Sequence, residues 1–137
     1  MNRPRRNRLT RGIRNLVNET TVKPQNLVWP AFVQEGKNQR TPIVSIPGIS
    51  RLSIDQLVAD SKKAFELGVP AIALFPVIDE PLKNSEGKES LNPDGLLQRA
   101  IKELKQKVPE LVVITDVALD PYSSDGHDGL VQDGKIL

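Results

Sequence analysis

The stretch Ala71-Ile72-Ala73-Leu74-Phe75 decides the fold class, because it is an apolar run of strand length with no polar alternation. A strand of this kind is buried on both faces, as the strands of parallel sheets are. Similar runs lie on either side of it in the chain, at residues 27–33 (LVWPAFV) and 111–117 (LVVITDV). Pro30 cannot donate to a hydrogen-bond ladder, so the first strand is predicted with an irregularity there.

Two helices are predicted between these strands. Ser53 and Gln56 have the spacing of a capping box at the start of the first helix, and Gly68 suits a left-handed cap at its end. Asn92 and Pro93 predict the start of the second helix, with Asn as the N-cap and Pro as the first helical residue.

The resulting β-α-β-α-β order indicates parallel strands joined by right-handed crossovers. Residues 36–50 between the first strand and first helix are predicted to be a loop or a short hairpin. Near the end of the chain, Asp133-Gly134 predicts a hairpin turn. Three strands are too few for a doubly wound sheet, which usually has about five, or for a (β/α)₈ barrel of roughly 250 residues. The pattern therefore predicts part of a larger α/β fold.

Composition narrows the function classes. The 137 residues contain no cysteine, which excludes disulfides and thiolate metal sites and fits a reducing compartment. There is no apolar run long enough to span a membrane and no secretory signal pattern. Residues 1–14 hold six arginines and no acid, whereas the rest of the chain holds 13 basic and 17 acidic residues. Residues 1–23 are therefore predicted to be an arm outside the core, and residues 24–137 the incomplete α/β domain.

Acidic residues follow the third predicted strand, at the end where parallel α/β folds carry their active sites. If the strand stays extended, Asp116 and Asp120 share one face and lie roughly 13 Å apart, at about 3.3 Å per residue. The glycine-rich turn after them can bring Asp128 close to Asp120. Carboxylates with water suit Mg²⁺, and His127 would favour a softer ion. The same residue types also make ordinary turns, so the pattern leaves both interpretations open.

The segment DVALDPYSSDGHDGL, residues 116–130, closely resembles the metal-site strand and loop of the porphobilinogen synthase (5-aminolevulinate dehydratase) family. Further resemblance lies in Arg3–Arg6, Pro30–Val33, Ile46–Ile49 and Leu74–Val77. It implies that the chain is the amino-terminal part of a TIM (β/α)₈ barrel, about three βα units plus an extended arm. It also implies a lyase that condenses two 5-aminolevulinate molecules to porphobilinogen, for haem or chlorophyll synthesis.

The resemblance also implies which residues act. Asp116, Asp120 and Asp128 would orient substrate and shuttle protons, and Asp120 and Asp128 are the candidate metal ligands. The three cysteines of zinc-dependent members correspond here to Ala118, Asp120 and Asp128, which implies a Mg²⁺ type rather than a thiolate zinc type. The family's Schiff-base lysines fall beyond residue 137, and Lys135 does not match them. The 137 residues alone are therefore expected to be inactive.

In the family the arm wraps a neighbouring subunit within an octamer, so self-association through the arm is expected, with no nucleic-acid or membrane partner. The expected location is the cytoplasm, or a plastid if a transit peptide has been removed. Two other interpretations stay open. One is a small Mg²⁺-binding α/β domain of phosphotransfer type, and the other is a non-catalytic interaction module that uses the basic arm.

Overall fold

The computed structural model describes residues 5–136. The first four residues of the predicted arm and the last residue of the predicted α/β domain lie outside the described residues. The α-helices are α1 (Arg11–Leu16), α2 (Ile54–Glu66) and α3 (Leu96–Lys107). Short 3₁₀ helices lie at Arg6–Arg8, Pro24–Asn26, Glu80–Leu82 and Lys88–Leu91. The strands are β1 (Val28–Val33), β2 (Arg40–Pro42), β3 (Ser50–Leu52), β4 (Ala71–Pro76), β5 (Val112–Thr115), β6 (Val131–Gln132) and β7 (Lys135–Ile136).

Five of these strands form one sheet in the order β2-β3-β1-β4-β5. β1, β4 and β5 are parallel neighbours, joined through α2 and α3 as the β-α-β-α-β pattern predicts. β2 and β3 form the short hairpin predicted for residues 36–50, although it extends to Leu52, and β3 extends the sheet by pairing in parallel with the end of β1. The parallel pairing of β3 with β1 was not predicted, because nothing local in three residues specifies a distant partner.

The hydrophobic core lies between one face of the sheet and the helices α2 and α3. It contains residues from β1, β3, β4, both helices and the connections after β4, α3 and β5: Ala31, Val33, Leu52, Leu57, Ile72, Leu74, Ile78, Leu96, Ala100, Leu104, Val108, Leu111 and Tyr122. Alternate residues of the strands face the other way, so this sheet has a second, inner face. No helix within residues 5–136 is long and apolar enough to cross a bilayer.

The predicted irregularity at Pro30 is absent, because β1 is continuous and Pro30 pairs in register with Ala73 of β4. β3 contacts β1 only at Phe32 and Val33, so the opposite edge of β1 is free at Pro30. A proline is tolerated in a strand where an edge requires no ladder donor.

The predicted capping box at Ser53 and Gln56 is wrong, although Ser53 does precede the first residue of α2. The Ser53 hydroxyl donates to Asp55 at 2.6 Å and accepts from the Gln39 backbone N–H at 2.9 Å. Gln56 accepts from Arg40 at 2.8 Å instead of reaching back along its own helix. Both side chains are therefore bound by residues at the start of the β2–β3 hairpin, Gln39 and Arg40.

The predicted start of α3 at Asn92-Pro93 is also wrong, because the helix begins at Leu96 with Gly95 as its N-cap. The Asn92 side chain does accept a nearby backbone N–H, that of Asp94 at 3.0 Å. The Asn92 carbonyl accepts from Gly95, which closes a separate turn before the helix. An Asn side chain satisfies both a cap and an Asx turn, so local chemistry does not distinguish the two.

The end of β5 differs from the prediction in two respects. The strand stops at Thr115, so Asp116 is not a strand residue, and Val112 and Ile114 are exposed rather than buried. β5 is the edge of the sheet in the described residues, and its inner face has no covering layer there. The predicted Gly68 cap is confirmed, with φ of 90°, and the Asp133-Gly134 turn does join β6 to β7.

Candidate active site at the carboxyl ends of the strands

A cavity of about 370 Å³ opens where β1 and β4 end, on the inner side of the sheet. Phe32 and Phe75 are register partners there, with ring centroids 5.7 Å apart. The hairpin loop closes one side with Ile43 and Ile46. The cavity is therefore largely apolar, which strengthens the interaction of any charged group at its wall with a bound ligand.

Three charged side chains line this cavity: Arg51 from β3, Lys83 from the loop after β4, and Asp120 from the loop after β5. The Lys83 ammonium contacts the Glu80 carboxylate at 2.6 Å, and its side chain is only 22% exposed. Three different segments thus bring two cations and one carboxylate to one apolar cavity. This combination suits a small substrate with both a carboxylate and an amine or carbonyl group.

Asp120 is the predicted site residue that the structure places in the cavity. All three predicted carboxylates are exposed, but Asp116 and Asp128 do not line the cavity. Because β5 ends at Thr115, the extended geometry assumed for Asp116 and Asp120 is not present. Asp120 nevertheless lies on the inner side of the sheet with Phe32 and Phe75, not on the helix-covered side.

The prediction that the glycine-rich turn returns Asp128 to Asp120 is confirmed. Asp128 Oδ1 accepts from the backbone N–H of Leu119 at 2.8 Å and of Asp120 at 3.2 Å. Because this carboxylate binds two consecutive amides, it holds the backbone at Leu119 and Asp120 in place. Asp128 therefore has a visible structural contact, whereas its assignment as a metal ligand stays a prediction.

Tyr122 was not singled out by the sequence and anchors the same loop, with only 5% of its surface exposed. Burial raises the pKa of Tyr122 above its ordinary value, and the negative charges of Asp116 and Glu89 add to the rise. Asp116 therefore lies close enough for its charge to act on the buried phenol. No local pattern marks Tyr122, since its burial depends on the turn that packs over it.

The remaining predicted residues are not gathered at the cavity. His127 is exposed in the turn before Asp128, and Lys135 is exposed in the terminal hairpin. Between residues 5 and 136 there is no cluster of three or more His, Asp or Glu side chains with the geometry to hold a metal ion. Asp120 and Asp128 could thus supply only part of a coordination shell.

Sequence reasoning missed Arg51, Lys83 and the two phenylalanines of the cavity. The phenylalanines could have been found from strand alternation, because each is near the end of a predicted parallel strand. Lys83 lies seven residues beyond the end of β4, and only the path of the loop returns it to the cavity.

Three other depressions are larger than this cavity, but none is lined by the last residues of β1 or β4, and the smallest of the three, about 430 Å³, lies in the arm around Arg8 and Arg14. One of about 640 Å³ lies between α2 and α3 and is lined by long charged side chains such as Lys62 and Lys107. Another of about 450 Å³ lies beside the start of β1 and the end of α2, and is mostly apolar. Parallel α/β proteins bind ligands beyond the carboxyl ends of their strands, so the smaller cavity is the better candidate.

A mostly parallel sheet with helices on one face and a cavity at the strand ends is the arrangement found in one part of a TIM barrel. This class is confirmed by a solved structure, delta-aminolevulinic acid dehydratase (porphobilinogen synthase) from Toxoplasma gondii, in complex with the reaction product porphobilinogen. The chain matches it with a TM-score of 0.93 and 49% identity, over 100% of this chain and 39% of that one.

The family model for delta-aminolevulinic acid dehydratase matches residues 1–137, so the chain belongs to that family. It is 51% identical over 137 residues to the chloroplastic enzyme of Selaginella martensii, covering 98% of this chain and 33% of that protein. It is 47% identical over 135 residues to the protein of Bradyrhizobium diazoefficiens, covering 98% and 38%. The chain spans about a third of the length of these curated relatives.

Proposed function

We propose that this chain supplies the first strands and one wall of the active site of a 5-aminolevulinate dehydratase, a lyase. The reaction condenses two 5-aminolevulinate molecules to porphobilinogen with loss of two waters. The observation that carries the proposal is the position of Asp120, in an apolar strand-end cavity of a chain that belongs to this family.

The cavity offers each part of the substrate a suitable contact. The carboxylate of 5-aminolevulinate is complementary to the cations of Lys83 and Arg51, and its amino group is complementary to Asp120. In a complete barrel the apolar walls around Phe32 and Phe75 would exclude water from the reacting carbon atoms. Asp120 is also the group placed to accept and return a proton as the amine and carbonyl groups react.

We propose Mg²⁺ as the metal of this protein, because oxygen donors rather than thiolates are available. Asp120 and Asp128 are the proposed contributors. Asp128 already uses Oδ1 to hold two backbone amides, so water or residues outside the described range would have to complete the coordination shell. When bound, the ion would add positive charge near the substrate's developing negative charge.

The arm, residues 1–23, is proposed to dock on another copy of the protein. No residue between 5 and 23 is buried, and Leu9 and Leu16 are 71% and 86% exposed. Exposed apolar side chains in a basic segment are suited to an interface with a second subunit. Deleting the arm is therefore expected to lower the number of subunits per particle measured by sedimentation. An unchanged number of subunits would contradict this role.

The test of the main proposal is condensation of 5-aminolevulinate by a protein that carries this chain within a complete barrel. We expect a coloured pyrrole adduct with Ehrlich's reagent, stimulation by Mg²⁺, loss with a chelator and insensitivity to thiol reagents. The 137 residues alone are expected to form no pyrrole, and borohydride should trap no substrate on their lysines. Absence of pyrrole from the complete protein would end the proposal.

Asp120→Asn tests the role of the carboxylate itself. We expect kcat to fall by roughly 100-fold, as for loss of a general acid or base. Asp94→Asn, an exposed carboxylate before α3, is the matched control and should leave kcat unchanged. Equal activity of the Asp120 variant and the control would remove Asp120 from the mechanism.

A further inference from the structure

The loops after β4 and β5 meet again after the two strands have ended. The strands last pair at Leu74 and Thr115, and the chains then separate. They rejoin in a parallel bridge between Asn84 and Ser123. The Asn84 backbone N–H donates to the Tyr122 carbonyl at 3.3 Å, and the Asn84 carbonyl accepts from the Ser124 N–H at 3.1 Å.

The Asn84 side chain holds the turn that presents this bridge. Its Oδ1 accepts from the backbone N–H groups of Glu86 and Lys88, both at 3.1 Å. The Gly87 N–H donates to the Asn84 carbonyl at 3.1 Å. One asparagine thus closes residues 84–88 with its side chain and binds the neighbouring loop with its backbone.

The turn also provides a surface on which the β5 loop packs. Gly87 has φ of 60°, and a Cβ added there would lie 3.5 Å from Leu119 Cδ2 and 3.6 Å from Tyr122 Cβ. Glycine adopts this left-handed conformation without strain, and the turn lies in ordinary van der Waals contact with the β5 loop. Leu119 and Tyr122, which flank Asp120 and Pro121, therefore both pack against the turn.

We propose that Asn84 is a positioning residue for Asp120: it holds the 84–88 turn on which residues 119–124 are docked, and so keeps the Asp120 carboxylate at the cavity. Asn84 does not line the cavity and touches no proposed substrate group. It acts through the loop, together with Asp128, which binds the backbone amides of Leu119 and Asp120 in the same loop. The catalytic consequence rests on the proposed dehydratase function, whereas the docking of the loop does not.

The docking is tested by amide hydrogen exchange of residues 116–126 in the 137-residue chain. Asn84→Ala is expected to speed exchange there about tenfold, because two side-chain hydrogen bonds are lost. β1 and β4 should keep their exchange rates. Asn84→Asp retains an acceptor oxygen and should restore protection.

Asn92→Ala is the matched control, because Asn92 also accepts a backbone N–H two residues ahead but makes no bridge to the β5 loop. Exchange of residues 116–126 should be unchanged in this variant. Gly87→Ala should speed exchange of residues 116–126 without altering Asn84, because alanine is strained at the positive φ of this position. This variant tests the proposal if Asn84→Ala does not fold. Exchange within twofold of the unaltered chain in the folded Asn84 or Gly87 variant would overturn the proposal, as would an equal effect of Asn92→Ala.

The catalytic consequence is tested in a protein with the complete barrel. Asn84→Ala is expected to lower kcat about tenfold with KM changed less than twofold, and Asn84→Asp should recover most of kcat. A fall of kcat without recovery in the Asp variant would overturn the positioning role. If the unaltered protein forms no pyrrole, the dehydratase proposal fails, and the exchange experiment still decides whether Asn84 holds the loop.

Discussion

The two faces of the sheet are built from similar apolar residues but differ in what covers them. On the helix-covered face, Ile72 and Leu74 of β4 are 0% and 1% exposed. On the inner face, Val112 and Ile114 of β5 are 52% and 42% exposed. An apolar strand therefore specifies that both faces need a partner, but only the helices α2 and α3 provide one in this part of the chain.

This difference in covering also separates the face that stabilises the fold from the face that carries the candidate site. The helix-covered face is closely packed around Ile72 and Leu74, which leave no space between the sheet and the helices at the centre of the core. The inner face is open, and it carries the cavity with Phe32, Phe75 and Asp120 at the end where the strands stop. The exposed apolar side chains of β5, Val112 and Ile114, are thus at the wall that a complete barrel would enclose.

The largest expected effect compares a truncation on each face. Leu74→Ala should lower the free energy of unfolding of the chain by about 3 kcal/mol, because it leaves a cavity under α2 and α3. Ile114→Ala should cost less than about 1 kcal/mol, since the side chain is already partly in water. Urea denaturation followed by circular dichroism measures both, and equal losses would show that the inner face is covered in solution.

A smaller effect sharpens the comparison at the margin of the helix-covered face, where Arg40 of β2 binds Asp60 of α2 through two contacts of 2.7 Å. Hydrogen bonds from Arg40 hold the pKa of Asp60 below its ordinary value. Since the folded state favours the ionised carboxylate, this stability is present at neutral pH and is lost as pH falls through about pH 4 and below.

Asp60→Asn should therefore cost roughly 0.5 kcal/mol at pH 7, and the difference from the unaltered chain should vanish in acid. Denaturation at a series of pH values measures it. Asp94→Asn, at an ion pair whose carboxylate is 82% exposed, provides the baseline. A difference that persists unchanged at pH 3 would mean that the packing of Asp60, rather than its charge, stabilises the hairpin.

Much of the fold was predictable because it depends on short-range patterns. The apolar runs became β1, β4 and β5, the helical spacing became α2 and α3, and the Asp133-Gly134 dipeptide formed its hairpin turn. In the candidate site, Asp120 was predictable from its place after a strand. The return of Asp128 was predictable from the glycines that let the chain turn.

Two kinds of error occurred. Ser53 and Gln56 do not form the predicted capping box because the distant β2 hairpin binds both side chains. Asn92 closes a local turn instead of starting α3, since the same local chemistry suits both. Lys83 and Arg51 carried no local signal, because each reaches the cavity only through the path of its own segment.

The sequence by itself determined a parallel α/β fold with a carboxylate after its third long strand, because periodicity and turn chemistry are written in neighbouring residues. Only the tertiary structure decided which sheet face is covered and which side chains share the cavity. It also decided that Asn84 joins the two loops behind Asp120. These features depend on contacts between residues tens of positions apart, whose energies no local pattern contains.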